Sequence, residues 1–250
     1  MQVLHISEEQ AMDAELIALG AYSPIDGFLD SKNFWSVLES FKLECGAIWS
    51  MPITLQVSKK EADKIKSGTK LCLKEKNKNI AVIEVSEIFK PDLDKASKLF
   101  FGTNDKKHPG VTKFLNAGKY FISGKVTLLN RRQHAHKKYE LTPLQSRKIF
   151  ENRGWSRVVA FHSRNPIHRS HEFIQMQALK KINGDGLLVH PVVGKKKAGD
   201  FTANAIISSY QIMLKEFYDT EKVIFGTFPT YSRYAGPREA LFTALCRQNY

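Results

Sequence analysis

The strongest constraint on the fold lies in residues 156–228, where three apolar runs of strand length are separated by segments of helix length. The runs are Ser156 to Phe161, "GLLVHPVVG" (186–194) and "KVIFGTF" (222–228). Between them stand a helical segment ending at Lys181 and a second, "TANAIISSYQIMLKEFY" (202–218). Strands alternating with helices at this spacing predict a parallel sheet covered by helices. In such sheets ligands bind beyond the carboxyl ends of the strands. Two more helices flank the pattern. "TPLQSRKIFENRG" has Thr142 as N-cap and Pro143 at the first helical position, and "YAGPREALFTALCRQNY" carries Pro237 in its first turn.

The turn after the first run is crowded with donors. From Ser163 to His171, "SRNPIHRSH" holds Arg164, Asn165, His168, Arg169 and His171 around Pro166. His168 and His171 are three apart, so they neighbour each other on one face if both lie in the first helical turn. That turn also offers unpaired backbone N–H groups and the positive end of the helix dipole, a natural seat for phosphate. Arg164 and Arg169 add charge in a fork suited to oxyanions. Asn165 adds a neutral amide that can both donate and accept. Together they describe a site for a polyphosphate and a second anion. A zinc reading fits poorly, because zinc peptidases space their histidines four apart with the glutamate between them, and no cysteine cluster lies nearby.

Two other segments point toward anions. "VHPVVGKKKAGDF" places His190, Gly194, Lys195 to Lys197 and Asp200 just past a strand, and "SRYAGPREAL" puts Arg233 before and Arg238 inside the start of a helix. Read alone, the lysines suit a solvated loop as well as a phosphate contact, and Arg238 reads as structural, paired with Glu239 or Asp200. The net charge of +13 agrees with an anionic partner. It divides as +5 over residues 1–137 and +8 over the shorter stretch 138–250.

The first part of the chain differs in character. Short β-type runs ("MPITLQV", "TKLCLKE", "NIAVIEVSEIF", "KYFISGKVTLL") alternate with turn-rich connectors. "SKNFWSVLESFK" has helical spacing with Phe34, Val37, Leu38 and Phe41 on one face, and "DLDKASKLFFG" reads as a short helix. This is a strand-rich α+β unit. The basic run "NRRQHAHKKYELTP" is the expected boundary, giving domains 1–137 and 138–250. Cys45, Cys72 and Cys246 are scattered, without metal-type spacing, which suits a reducing cytoplasm. No apolar run approaches a membrane span, and the N-terminus lacks the pattern of a secretory signal.

"RNPIHRSHE", "GLLVHPVVGKKKAGDF" and "RYAGPREAL", in this order, closely resemble three consecutive blocks of the ATP sulfurylase (sulfate adenylyltransferase) family. "LIALGAYSPIDGFL", "PITLQV", "FGTNDKKHPGV" and "GKVTLL" resemble that family's N-terminal domain, so the likeness covers nearly the whole chain. The resemblance implies an α+β PUA-like domain followed by an α/β Rossmann-like nucleotidyltransferase domain. It implies ATP and sulfate as substrates, Mg²⁺ on the phosphates, and adenosine 5′-phosphosulfate and diphosphate as products. Carried over by position, Arg164 would hold sulfate and a phosphate oxygen. Ser163 and Asn165 would help place the ATP phosphates, and His168 and His171 would stabilise charge building at the α-phosphorus. Sulfate is already ionised and needs no general base, so catalysis must come from uniting two repelling anions and neutralising the transition state.

The resemblance departs from the family in two places. His162 stands where the family usually has Gln, at a position expected to touch sulfate and ATP. The family also continues beyond "RQNY" into a Gly-Arg-Asp-His-Ala-Gly block, whereas this chain stops at Tyr250. The expectation is therefore a fragment of low activity. Two rivals stand beside the enzyme: a non-catalytic nucleotide-binding relative, and an RNA binder using the PUA-like fold. Fold is not evidence of function, and no basic stripe interleaved with aromatics appears, which disfavours nucleic acid. No membrane partner is expected, and no motif decides whether the chain forms a homo-oligomer.

Overall fold

A computed structural model describes residues 1–194 and 199–250. Its first unit comprises Met1–Arg132 together with Arg233–Asn249, and its second runs from Gln133 to Ser232 and includes Tyr250. In chain order the first unit contains β1 (Gln2–His5), α1 (Glu8–Ala18), β2 (Gly27–Phe28), α2 (Ser31–Ser40), β3 (Leu55–Val57) and α3 (Lys59–Ala62). There follow β4 (Lys70–Glu75), β5 (Lys78–Phe89), α4 (Leu93–Phe101), α5 (Pro109–Asn116) and β6 (Tyr120–Leu128). The second unit contains α6 (Pro143–Asn152), β7 (Val158–Phe161), α7 (Arg169–Lys181), β8 (Gly186–Val189), α8 (Ala203–Glu216) and β9 (Val223–Phe225). The helix α9 (Pro237–Asn249) belongs again to the first unit.

The first unit is built on a sheet ordered β1-β4-β5-β6-β2, with β3 also paired to β6. β1 joins β4 in parallel; the other pairings are antiparallel. β6 can pair with both β2 and β3 because they meet different stretches of it, Gly124–Lys125 and Tyr120–Ile122. Gly124 is obligatory at that crowded point: its φ is +151°, and a Cβ there would lie 2.0 Å from the Glu84 carbonyl. Rings fill the core. Tyr22 and Trp49 meet Phe242 of α9 at 5.1 and 5.5 Å between centroids, and Phe34 meets Phe121 at 5.3 Å. Phe242 therefore gives α9 its apolar reason to rejoin this unit.

Arg238, also on α9, is buried too. Its guanidinium donates to the carbonyls of Val37 and Ser50 (2.8 and 2.9 Å), and of Leu38 and Leu99 (2.9 and 3.3 Å), and it lies 3.9 Å from the Phe41 ring. Those acceptors lie near the ends of α2 and α4, where carbonyls run short of intrahelical N–H donors, although Val37 O also accepts from the Phe41 N–H. One cation thus closes the ends of two helices. Burial pushes its pKa down to about 10, which leaves it charged at neutral pH. Phe41, expected on the buried face of α2, instead ends that helix in the left-handed region (φ 60°) with its ring half-exposed against this arginine.

In the second unit β7, β8 and β9 form a parallel sheet in that order. β8, the middle strand, is buried at every position, whereas Ala160 on the edge strand β7 is exposed. Ile206, Ile207, Tyr210 and Met213 of α8 form one core cluster with Leu187 and Val189 of β8 and Val223 of β9. α6 starts from Thr142, which forms a reciprocal capping box with Gln145 ahead of Pro143, and α8 starts from Thr202, whose hydroxyl accepts from the Ala205 N–H.

Candidate functional site

Parallel pairing continues past the strands on the carboxyl side. The His190 and Val192 N–H groups donate to the carbonyls of Phe161 and Ser163 at 2.9 and 2.8 Å, and the Phe228 N–H donates to Pro191 O at 2.9 Å. Residues 162–168, 190–194 and 226–230 therefore form one rim. Gly194 is pressed against it, since a Cβ there would sit 1.7 Å from Thr230 O. The turn from β7 to α7 is tied at two points. The Asn165 N–H donates to Ser163 Oγ at 3.0 Å, and the N–H of buried Ile167 donates to Ser209 Oγ of α8 at 3.2 Å. With Ile167 pinned inward, the side chains of His162, Arg164 and Asn165 stand exposed.

His168 occupies the N-cap of α7 with an extended backbone (φ −145°, ψ 173°) and makes no side-chain cap. Its ring lies against that of His171, with centroids 3.8 Å apart. Ser170 Oγ is 2.7 Å from His168 Nδ1. His171 packs on Phe161 at 5.5 Å, and its Nδ1 is buried without a hydrogen-bond partner among the described residues. Burial first, and neighbouring His168 second, hold the His171 pKa below the usual histidine value. The pair so formed is a donor couple at the positive end of a helix, beside an exposed arginine and amide. Such an arrangement can grip and polarise a phosphoryl oxygen.

Ser163, Arg164, Asn165, His168 and His171 share this turn with His162, whereas other residues read as anion-facing are engaged elsewhere. Arg169 turns toward Glu172 (3.3 Å) and stacks 5.7 Å from the Phe217 ring. His190 is fully buried, packed on Tyr250 and Phe228 at 4.4 and 5.3 Å. Arg233 and Arg238 are buried in the first unit, Arg233 against Asp13 and Arg238 among carbonyls rather than Glu239 or Asp200. Lys195 to Lys197 lie outside the described residues. Ser170, Ser209 and Tyr210 join the site without a motif that announces them. Tyr210 is fully buried, and burial pushes its hydroxyl up to about 12 while Ser163 beside it pulls the other way. For Ser209 and Tyr210 the signal is the run of hydroxyls in "ISSYQ", unreadable without knowing that α8 faces the turn. Among the described residues no group of three His, Cys, Asp or Glu side chains could hold a metal ion.

Residues 1–131 match the family model of a PUA-like domain, and residues 137–250 match that of ATP-sulfurylase. A sulfate adenylyltransferase of Synechococcus sp. (strain JA-3-3Ab) is 40% identical over 99% of this chain and 63% of its own length. One from Symbiobacterium thermophilum is likewise 40% identical, over 99% of this chain and 63% of its own. A probable bifunctional SAT/APS kinase 2 of Sorangium cellulosum is 39% identical over the whole chain and 43% of its own length. The chain thus spans less than two thirds of the length of these relatives. Among solved structures, a hexameric APS kinase from Thiobacillus denitrificans superposes on the whole chain with a TM-score of 0.79, covering 45% of that protein. At 21% identity this likeness concerns the fold alone.

Proposed function

The chain belongs to the ATP-sulfurylase family, and from that premise we propose that it carries the anion-gripping turn of a sulfate adenylyltransferase. A sulfate oxygen attacks the α-phosphorus of ATP in line. The new S–O–P linkage forms as the bond from the α-phosphorus to the bridging oxygen breaks, and diphosphate leaves with that electron pair. Arg164 holds sulfate against a phosphate oxygen, and His162 adds a donor to sulfate and ATP. Ser163 and Asn165 set the phosphate chain. His168 and His171 donate to the oxygens of the α-phosphoryl group, where charge accumulates. No residue needs to remove a proton from sulfate, so the demand on the site is positioning and charge neutralisation.

Mg²⁺ enters as part of the nucleotide substrate, held by phosphate oxygens rather than by a cage of side chains. Functionally we divide the chain near residue 137, with the PUA-like part before it and the catalytic part, 138–250, after it. A cytoplasmic setting suits the three free thiols, Cys45, Cys72 and Cys246. No helix among the described residues is long and apolar enough to cross a membrane.

The observation that carries this reading is the His168–His171 pair, 3.8 Å apart at the first turn of α7 on the carboxyl rim of a parallel sheet. The test is MgATP binding together with sulfate-dependent release of diphosphate, with H168A and H171A measured beside the parent protein. Expected is binding that survives in the variants while the chemical step fails. A protein that bound neither MgATP nor sulfate would overturn the proposal.

A further inference from the structure

Behind the histidine pair, the buried face of α7 carries a second polar side chain with unmet bonding capacity. Gln175 is fully buried, one helical turn beyond His171. The Tyr218 hydroxyl donates to its Oε1. With the carbonyl end taken in this way, the amide NH₂ must look elsewhere, and Nε2 is buried without a partner among the described residues. The buried Nδ1 of His171 is in the same condition. Residues four apart on a helix stand side by side, with Cβ atoms roughly 6 Å apart. The two orphaned atoms are therefore complementary neighbours, a donor and a potential acceptor, in a place where each lacks anything else.

We infer that Gln175 and Tyr218 are positioning residues that fix the tautomer of His171: the Gln175 amide serves Nδ1 as donor, directly or through one water, and the ring proton is kept on Nε2 for the anion. The inference deepens the proposed function and rests on it for the meaning of the Nε2 proton. A histidine reports the bond made by one ring nitrogen in the chemistry of the other. His168 follows the same pattern by another route, because Ser170 Oγ engages its Nδ1 and leaves Nε2 for the site. Neither Gln175 nor Tyr218 would touch substrate. Tyr218 itself is held as a neutral donor, since burial and then the Glu172 carboxylate push its pKa up. The observed part of this relay is the Tyr218–Gln175 bond just past the end of α8; the inferred step from Gln175 to Nδ1 would set the His171 ring from inside the unit.

The test reads the tautomer directly. Imidazole ¹⁵N NMR of the 250-residue chain is expected to show His171 as the Nε2–H form. Gln175→Glu, which replaces the donor by an acceptor of the same shape, should move the proton to Nδ1. Tyr218→Phe, which keeps the ring and drops the hydroxyl, should leave a mixture of tautomers, and it carries the test if Gln175→Glu does not fold. In turnover, Gln175→Glu is expected to lower kcat roughly tenfold or more with KM for ATP near the parent value. A parent His171 in the Nδ1–H form, or a tautomer unmoved by both variants, would overturn the inference. The tautomer is read without ligand. If added MgATP left every site histidine resonance in place, the functional reading would fail while the tautomer result stood.

Discussion

The two units place their arginines in opposite ways. In the first, Arg132, Arg233 and Arg238 are all buried. Arg132 is bidentate to Glu75 at 2.9 and 3.2 Å and reaches Glu8 at 3.1 Å, Arg233 meets Asp13, and Arg238 closes helix ends on carbonyls. In the second, Arg164 stands exposed on the rim, and Arg169 stays exposed even while bonded to Glu172. A buried guanidinium that donates to several fixed acceptors is a structural joint, and its charge is consumed locally. An exposed one beside a helix N-terminus retains a field that an anion can feel. The residue type is the same; burial and partners decide which it is.

That contrast breaks first at Arg238. Replacing it with alanine removes a donor from four carbonyls, of which Val37 keeps a bond from the Phe41 N–H, and an expected loss of about 4 kcal/mol should be visible as a lower urea midpoint. Arg164→Ala should shift the same midpoint by less than about 0.5 kcal/mol while weakening sulfate binding. Equal stability losses in the two variants would erase the distinction. Next in size come His168→Ala and His171→Ala, each expected to reduce kcat roughly 10²–10³-fold with a smaller effect on ATP affinity. Single-turnover measurements separate the two, and near-normal kcat in both would make the pair structural.

A smaller effect belongs to Glu140, at the start of the second unit. Burial pushes its carboxyl up, but bonds from His134 and from Lys137 (2.6 Å) outweigh burial and hold the pKa below the usual carboxylate range. The stability it contributes is therefore present above the unfolded carboxylate pKa of about 4.3 and is lost as pH falls through the lower folded value. Glu140→Gln should cost about 2 kcal/mol near neutral pH and flatten the acid limb of the stability curve. An unchanged acid limb would show that other carboxylates govern it. Smallest is His162→Gln. A histidine can take up a proton near neutral pH and a glutamine cannot, so apparent sulfate affinity should improve on acidification only with His162 in place. Sulfate KM compared from mildly acidic to mildly alkaline pH in both proteins checks this, and superimposable profiles would reduce His162 to a neutral donor.

Much of the second unit was legible because its signals are local. Thr142–Pro143 and Thr202 announce their helices through side chains that bond a few residues away, and the i, i+3 spacing alone set His168 beside His171. The first unit hid more. α1 went unread although Ser7 and Gln10 form a capping box, because Ala11 to Ile17 are buried without interruption, Asp13 and Glu15 included. A helix enclosed on all sides has no apolar stripe to betray its period. Nor could spacing foretell that Arg233 and Arg238 point into a core, since their acceptors lie far along the chain and most are backbone carbonyls, which every residue has. Arg169 turned aside for a similar reason, its stacking partner Phe217 being invisible until α8 is placed.

The return of α9 to the first unit also orders events in time. A ribosome delivers Tyr22 and Trp49 long before Phe242, and the segment 133–232 must emerge between them. The nascent first unit therefore waits with its aromatic centre open and the late carbonyls of α2 uncapped, while the intervening α/β unit can fold on contacts of its own. Closing a loop of that span is slow but adds little entropy cost beyond that of a shorter one. Both crossing points are fastened to α1, Arg132 through Glu8 and Arg233 through Asp13. An early helix is thus the latch that α9 must find.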